Sequence, residues 1–89
     1  MKIWQLQTSD EFKKVLKRLD QKQKIRIVAF LYKRVLPSGN PRIFGKALTG
    51  KLSGYWSYRV GDYRVIADIQ DNTLRIIAVS IGHRREIYE

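Results

Sequence analysis

Apolar positions along this chain change period twice. At residues 2–7 they alternate, with Trp4 and Leu6 on one side and Ile3 on the other, which predicts a short strand. Thr8-Ser9-Asp10-Glu11 reads as a helix start, because Thr8 and Glu11 have capping-box spacing and early acids suit the helix dipole. Phe12, Val15, Leu16 and Leu19 then follow the i, i+3, i+4, i+7 rule, so a first helix is predicted from about residue 9 to about residue 20. A second is predicted from about Gln21 to about Val35. Ile25, Val28, Ala29, Tyr32, Val35 and Leu36 occupy one arc of it, and Ile27, Phe30 and Leu31 lie outside that arc. Deep burial between the first helix and a sheet accounts for apolar residues on more than one side. A docking surface for a partner is the alternative.

Pro37-Ser38-Gly39-Asn40-Pro41 ends the helix and opens a loop that the pattern extends to about Gly54. Gly50-Lys51 lacks the full phosphate-loop spacing, which excludes that form of nucleotide binding. Beyond the loop the period becomes two. Residues 55–60, 63–69 and 74–81 read as strands, with Gly61-Asp62 a two-residue hairpin turn and Asp71-Asn72 a second turn. The element order is β-α-α-β-β-β, an α+β fold with two helices on one face of a small, mainly antiparallel sheet.

A two-residue turn at Gly61-Asp62 sets the register. Val60 opposes Tyr63 and Arg59 opposes Arg64. Like charges directly opposite destabilise a strand pair, and an anion bridging the two guanidiniums removes the penalty. The alternative is that both side chains splay into solvent or meet Asp62. A turn at Asp71-Asn72 places Arg64 beside Val79, Ile66 beside Ile77 and Asp68 opposite Arg75. Trp56, Tyr58, Val65, Ala67, Ile69, Leu74, Ile76 and Ala78 then share the other face, apolar enough to receive two helices. The same parity puts Ile81 and His83 on the arginine side, and Gly82 leaves the choice between Arg84 and Arg85 open.

At 89 residues the chain is expected to form one domain, residues 1–89, with a modest core. It has no cysteine and one histidine, so neither disulfides nor a structural zinc site is expected, and no cofactor is implied. The N-terminus is too short and polar for a signal peptide, and no apolar run reaches the roughly 20 residues of a membrane span, so a cytoplasmic protein is expected. Eighteen Lys and Arg against eight Asp and Glu give a formal charge of +10. No acid falls between Asp20 and Asp62, a stretch too long for ordinary mixed surface charge. A polyanionic partner is implied, with nucleic acid first and an acidic protein second. The tail Gly82-His83-Arg84-Arg85-Glu86-Ile87-Tyr88 adds an imidazole, two guanidiniums and a phenol after the last strand.

Asn40-Pro41, Lys46-Ala47-Leu48-Thr49-Gly50, Tyr58-Arg59-Val60-Gly61-Asp62-Tyr63-Arg64-Val65-Ile66 and that tail together resemble the RelE/ParE toxins of bacterial and archaeal type II toxin–antitoxin systems. The resemblance covers nearly the whole chain, and the His-Arg-x-x-x-Tyr ending resembles the RelE branch rather than the gyrase-poisoning ParE branch. It implies the RelE-like microbial RNase fold and a metal-independent endoribonuclease that cleaves messenger RNA in the ribosomal A site. It also implies a RelB-like antitoxin as partner, with operator DNA bound only through the toxin–antitoxin complex. By the same resemblance Arg64 contacts the scissile phosphate, Arg84 is a second active-site arginine and Tyr88 is the catalytic tyrosine. Arg59 falls where one family member has a catalytic lysine. Ser57 stands near the place of another, a departure from the pattern, and His83 matches a tail histidine of some relatives.

The implied reaction is attack of an RNA 2′-hydroxyl on the adjacent phosphate, which restricts the substrate to RNA. It needs a proton acceptor, positive charge for the phosphorane and a proton donor for the leaving 5′-oxygen. Arg59, Arg64 and Arg84 supply charge in a flat fork that fits phosphate oxygens. Guanidiniums favour the phenolate of Tyr88, making it a workable base, with His83 the alternative base or acid. Lys46, Lys51, Arg85, Tyr55, Lys13 and Lys17 are candidate RNA contacts, the lysines through charge and Tyr55 by stacking on a base.

Overall fold

The structure is a computed structural model that describes residues 3–83. Its elements are β1 (Gln5–Thr8), α1 (Asp10–Arg18), α2 (Gln21–Ala29), β2 (Gly45–Ala47), β3 (Trp56–Val60), β4 (Tyr63–Gln70) and β5 (Arg75–His83). They form a five-stranded sheet in the order β1-β5-β4-β3-β2, antiparallel except where β1 runs parallel to β5. The two helices pack on one face, where Phe12, Ile27, Leu31 and Val35 meet Tyr58, Val65, Ala67, Ile76, Ala78 and Ile81 in one core. The α+β architecture read from the sequence is present, with one addition. Gly45–Ala47, expected as loop, is an edge strand on β3. Three residues are too few to show a period.

The cap of α1 is Ser9 rather than Thr8. Its hydroxyl accepts from the Phe12 amide and donates to the Val79 carbonyl, so one side chain ties the helix to β5. Asp20 caps α2 by accepting from the Gln23 amide. After Ala29 the helix widens into a π-helical segment, Phe30–Val35, in which Leu36 N–H donates to the Leu31 carbonyl five residues back. More residues per turn keep Ile27, Leu31 and Val35, spaced by four, on one buried stripe.

The phase of this second helix is corrected. Ile25, Val28 and Tyr32, taken as part of its main apolar arc, are 57%, 38% and 51% exposed, while Ile27 and Leu31 are buried. The sheet lies on the side of the smaller apolar set.

Between β4 and β5 the turn is residues 71–74, four residues and not two. Gln70 therefore pairs with Arg75 and Asp68 with Ile77, in place of the expected Asp68–Arg75 pair. Leu74, expected to open the last strand, instead takes φ +53°, a left-handed conformation costly for a leucine. Farther along, Ala67 pairs with Ala78 but Ile66 pairs with Ser80, so Val79 is an extra residue, a β-bulge. The bulge exchanges the faces of everything after it in β5.

Candidate active site

The Gly61-Asp62 turn forms as its residues require, with Gly61 at φ +62°. It brings Val60 opposite Tyr63 and Arg59 opposite Arg64, the register expected from the sequence. These arginines lie on the sheet face away from the helices. Arg64 is only 7% exposed on a central strand, whereas Arg59 is exposed on β3. Gly82 stands across from Arg64 on β5.

β2 closes the other side. Lys46 pairs with Ser57 and Gly45 with Tyr58. A Cβ on Gly45 would lie 3.0 Å from Tyr58 Cε1, so glycine allows the edge strand to sit this close. The result is a cavity of about 220 Å³ lined by Phe44, Gly45, Lys46, Ser57, Arg59 and Arg64. It holds two guanidiniums, one ammonium and a hydroxyl, and among the described residues no carboxylate lines it. Such a concave cluster suits a phosphodiester.

The loop before β2 is held by two polar contacts. Tyr58, fully buried beneath this wall, donates its hydroxyl to the Pro41 carbonyl. Burial pushes that phenol up to about 12, against a smaller lowering by the nearby Arg42, so Tyr58 is a structural donor and not a base at neutral pH. Arg42 makes a two-pronged ion pair with Asp71, at 2.9 and 2.6 Å, and stacks over Trp56. The hydrogen bond to Asp71 raises the Arg42 pKa still further. Asn40-Pro41 thus positions β2 rather than touching the cavity.

Several expected site residues lie elsewhere. The Val79 bulge places His83 opposite Tyr63, their rings edge to face at 5.5 Å, and so on the face opposite to Arg64. The parity that grouped His83 and Ile81 with the arginines is corrected, and Ile81 belongs to the core. Lys51 is exposed on the short turn Gly50–Leu52 and Tyr55 precedes β3; neither lines the cavity. Lys13 and Lys17 are exposed on α1, on the helix side. Arg84, Arg85 and Tyr88 lie outside the described residues. Gly45 and Phe44 were missed as cavity wall because the β2 segment reads as loop.

A second surface stands apart. Ile25, Val28, Ala29 and Tyr32 of the second helix and Leu16 of α1 line an open apolar groove of about 460 Å³, flanked by Lys24 and Lys33. Among the described residues, no helix is long and apolar enough to cross a membrane.

Comparison with known proteins places these features in a family. Residues 6–88 match the family model described as the ParE toxin of a type II toxin-antitoxin system, parDE. The chain is 37% identical over 73 residues to Toxin RelE of Mycobacterium tuberculosis, covering 82% of this chain and 73% of that protein. A chain of the toxin-antitoxin complex RelBE2 from M. tuberculosis superposes with a TM-score of 0.83 at 23% identity, covering 92% of this chain and 99% of that one. An archaeal RelE-RelB complex from Pyrococcus horikoshii gives 0.72 at 22% identity, covering 93% and 97%.

Proposed function

The chain belongs to the RelE/ParE superfamily of toxins from type II toxin–antitoxin systems, and from that premise we propose that it is a ribosome-dependent endoribonuclease that cuts messenger RNA. One observation carries the reading: Arg59 and Arg64 stand directly opposite each other beside Lys46 and Ser57 in a cavity that no carboxylate of the described residues lines. A phosphodiester seated there meets charge on two sides. The 2′-hydroxyl attacks phosphorus, the P–O5′ bond breaks, and the guanidiniums stabilise the charge that builds on the phosphorane oxygens. Arg64, buried on a central strand, is the phosphate clamp, and Arg59 the more exposed second cation. By family resemblance Arg84 and Tyr88 complete the site, with Tyr88 as the proton acceptor. His83, across from Tyr63, is the weaker candidate for that role.

The partner is an antitoxin, as in the solved complexes of its structural relatives. The exposed apolar strip Ile25, Val28 and Tyr32, bordered by Lys24 and Lys33, supports a docked amphipathic acidic segment. The toxin would act in the cytoplasm, where the ribosome is, and reach operator DNA only through the antitoxin.

The test is primer extension on a message bound to ribosomes with the purified protein. Codon-positioned ends are expected, and Arg64→Gln, shown folded by circular dichroism, should lower their rate by about 100- to 1,000-fold. Unchanged cleavage by that variant sinks the site assignment. The match to the ParE model favours a second reading, a non-catalytic gyrase inhibitor. That reading requires DNA-damage signalling in induced cells with intact messages.

A further inference from the structure

We infer that the groove between the second helix and the β3–β4 turn is a second RNA-backbone site, which receives the strand leaving the Arg59–Arg64 cavity. The inference rests on the reading of that cavity as RNA-facing. Arg26, Phe30, Lys33 and Arg34 fall at i, i+4, i+7 and i+8, one stripe of the helix, and that stripe faces the hairpin. With Arg59 and Val60 these side chains line a groove of about 550 Å³. Four cations surround it, and among the described residues no carboxylate lines it. Among the described residues none of the four forms an ion pair; the Arg42–Asp71 bridge lies elsewhere.

The cations are placed, not merely abundant. A Cβ on Gly61 would lie 3.1 Å from Arg26 Nη1, so the guanidinium is seated over the turn glycine. Arg34 lies over the Phe44 ring, 5.3 Å from its centroid, and Phe44 packs edge-on against Phe30. Gathering four like charges is unfavourable in the free protein, and a polyanion compensates for it. Arg59 decides which polyanion. Beyond the short β2 it stands at the sheet edge and lines both this groove on the helix side and the cavity that holds Arg64 on the other face, so the two sites meet around that edge as one track. A chain with a charge on every residue follows such a track, and arginine forks match its phosphates. Lys46 at one end and Arg26 at the other extend the track across the hairpin.

The experiment measures binding of a fluorescent, fully 2′-O-methylated single-stranded RNA, which cannot be cleaved, across a salt series. Arg26→Gln with Arg34→Gln should weaken binding about tenfold or more near ~0.1 M salt and lower the log–log salt slope by about 1.4, roughly 0.7 per phosphate lost. Lys14→Gln with Arg18→Gln, which removes equal charge from exposed positions of α1, should leave the slope unchanged. Equal effects of the two pairs, or no effect of the first, overturn the proposal. So does a loss of binding to poly-L-glutamate with RNA binding intact, because the groove then serves an acidic protein. Messenger cleavage on ribosomes is scored in parallel. Cleavage with an unaltered salt slope defeats this site alone, and no cleavage by the wild type with the slope lowered as expected defeats the nuclease reading alone.

Discussion

Replacing Arg59 with glutamine should make the free protein more stable while weakening its proposed chemistry. Arg59 and Arg64 occupy directly opposite positions, one exposed and one buried. Two unit charges about 6 Å apart repel by ~0.7 kcal/mol at an effective dielectric of about 80 and by ~2.8 kcal/mol at about 20. Solvent around Arg59 holds the value toward the lower end, near ~1 kcal/mol, the upper part of the range for cross-strand pairs. In a domain of this size that is about 4–8 °C in melting temperature. The assay is urea unfolding in low-salt chloride, repeated with added inorganic phosphate. Arg59→Gln should gain ~1 kcal/mol in chloride. The wild type should recover most of the difference in phosphate, since a ligand at ten times its Kd adds about 1.4 kcal/mol. A protein carrying +10 is stabilised by any lost cation, so Lys14→Gln serves as the reference. If the two variants shift equally, or if phosphate raises wild type and Arg59→Gln alike, the claim of an anion-poised pair is refuted.

Other outcomes follow from the same contacts. Tyr58→Phe should lose about 1–3 kcal/mol at pH 8, because the buried Pro41 carbonyl loses its donor. The folded protein holds the Tyr58 proton more tightly than the unfolded chain, so the wild-type advantage should shrink by about 2 kcal/mol as pH rises from ~10 toward 12, read by urea unfolding at each pH. Ser9→Ala should cost about 1–2 kcal/mol and raise amide exchange in β5 near the bulge, since it removes both the α1 cap and the tie to Val79. Ile27→Ala should cost about 2–4 kcal/mol, whereas Ile25→Ser should stay within about 0.5 kcal/mol of wild type and lower antitoxin affinity instead. Equal losses of stability from the two isoleucines would contradict the observed helix phase.

Short-range chemistry carried the parts of this protein that are legible in its residues alone. Gly61 takes the positive φ that a two-residue turn demands, so the Arg59–Arg64 pairing followed from local sequence with no knowledge of the rest. The two helices and the three long strands followed from their periods for the same reason. What the sequence left open depends on contacts between distant segments. The second helix is apolar on two sides, and only packing against the sheet decides that Ile27 is buried and Ile25 exposed. The Val79 bulge is held by a serine 70 residues away, and it alone sends His83 to the face opposite Arg64. A strand of three residues, Gly45–Ala47, exists because β3 offers it an edge and Tyr58 leaves room for a glycine. Period and turn chemistry specify elements; the faces they turn to one another are chosen by where the whole chain can bury its apolar surface.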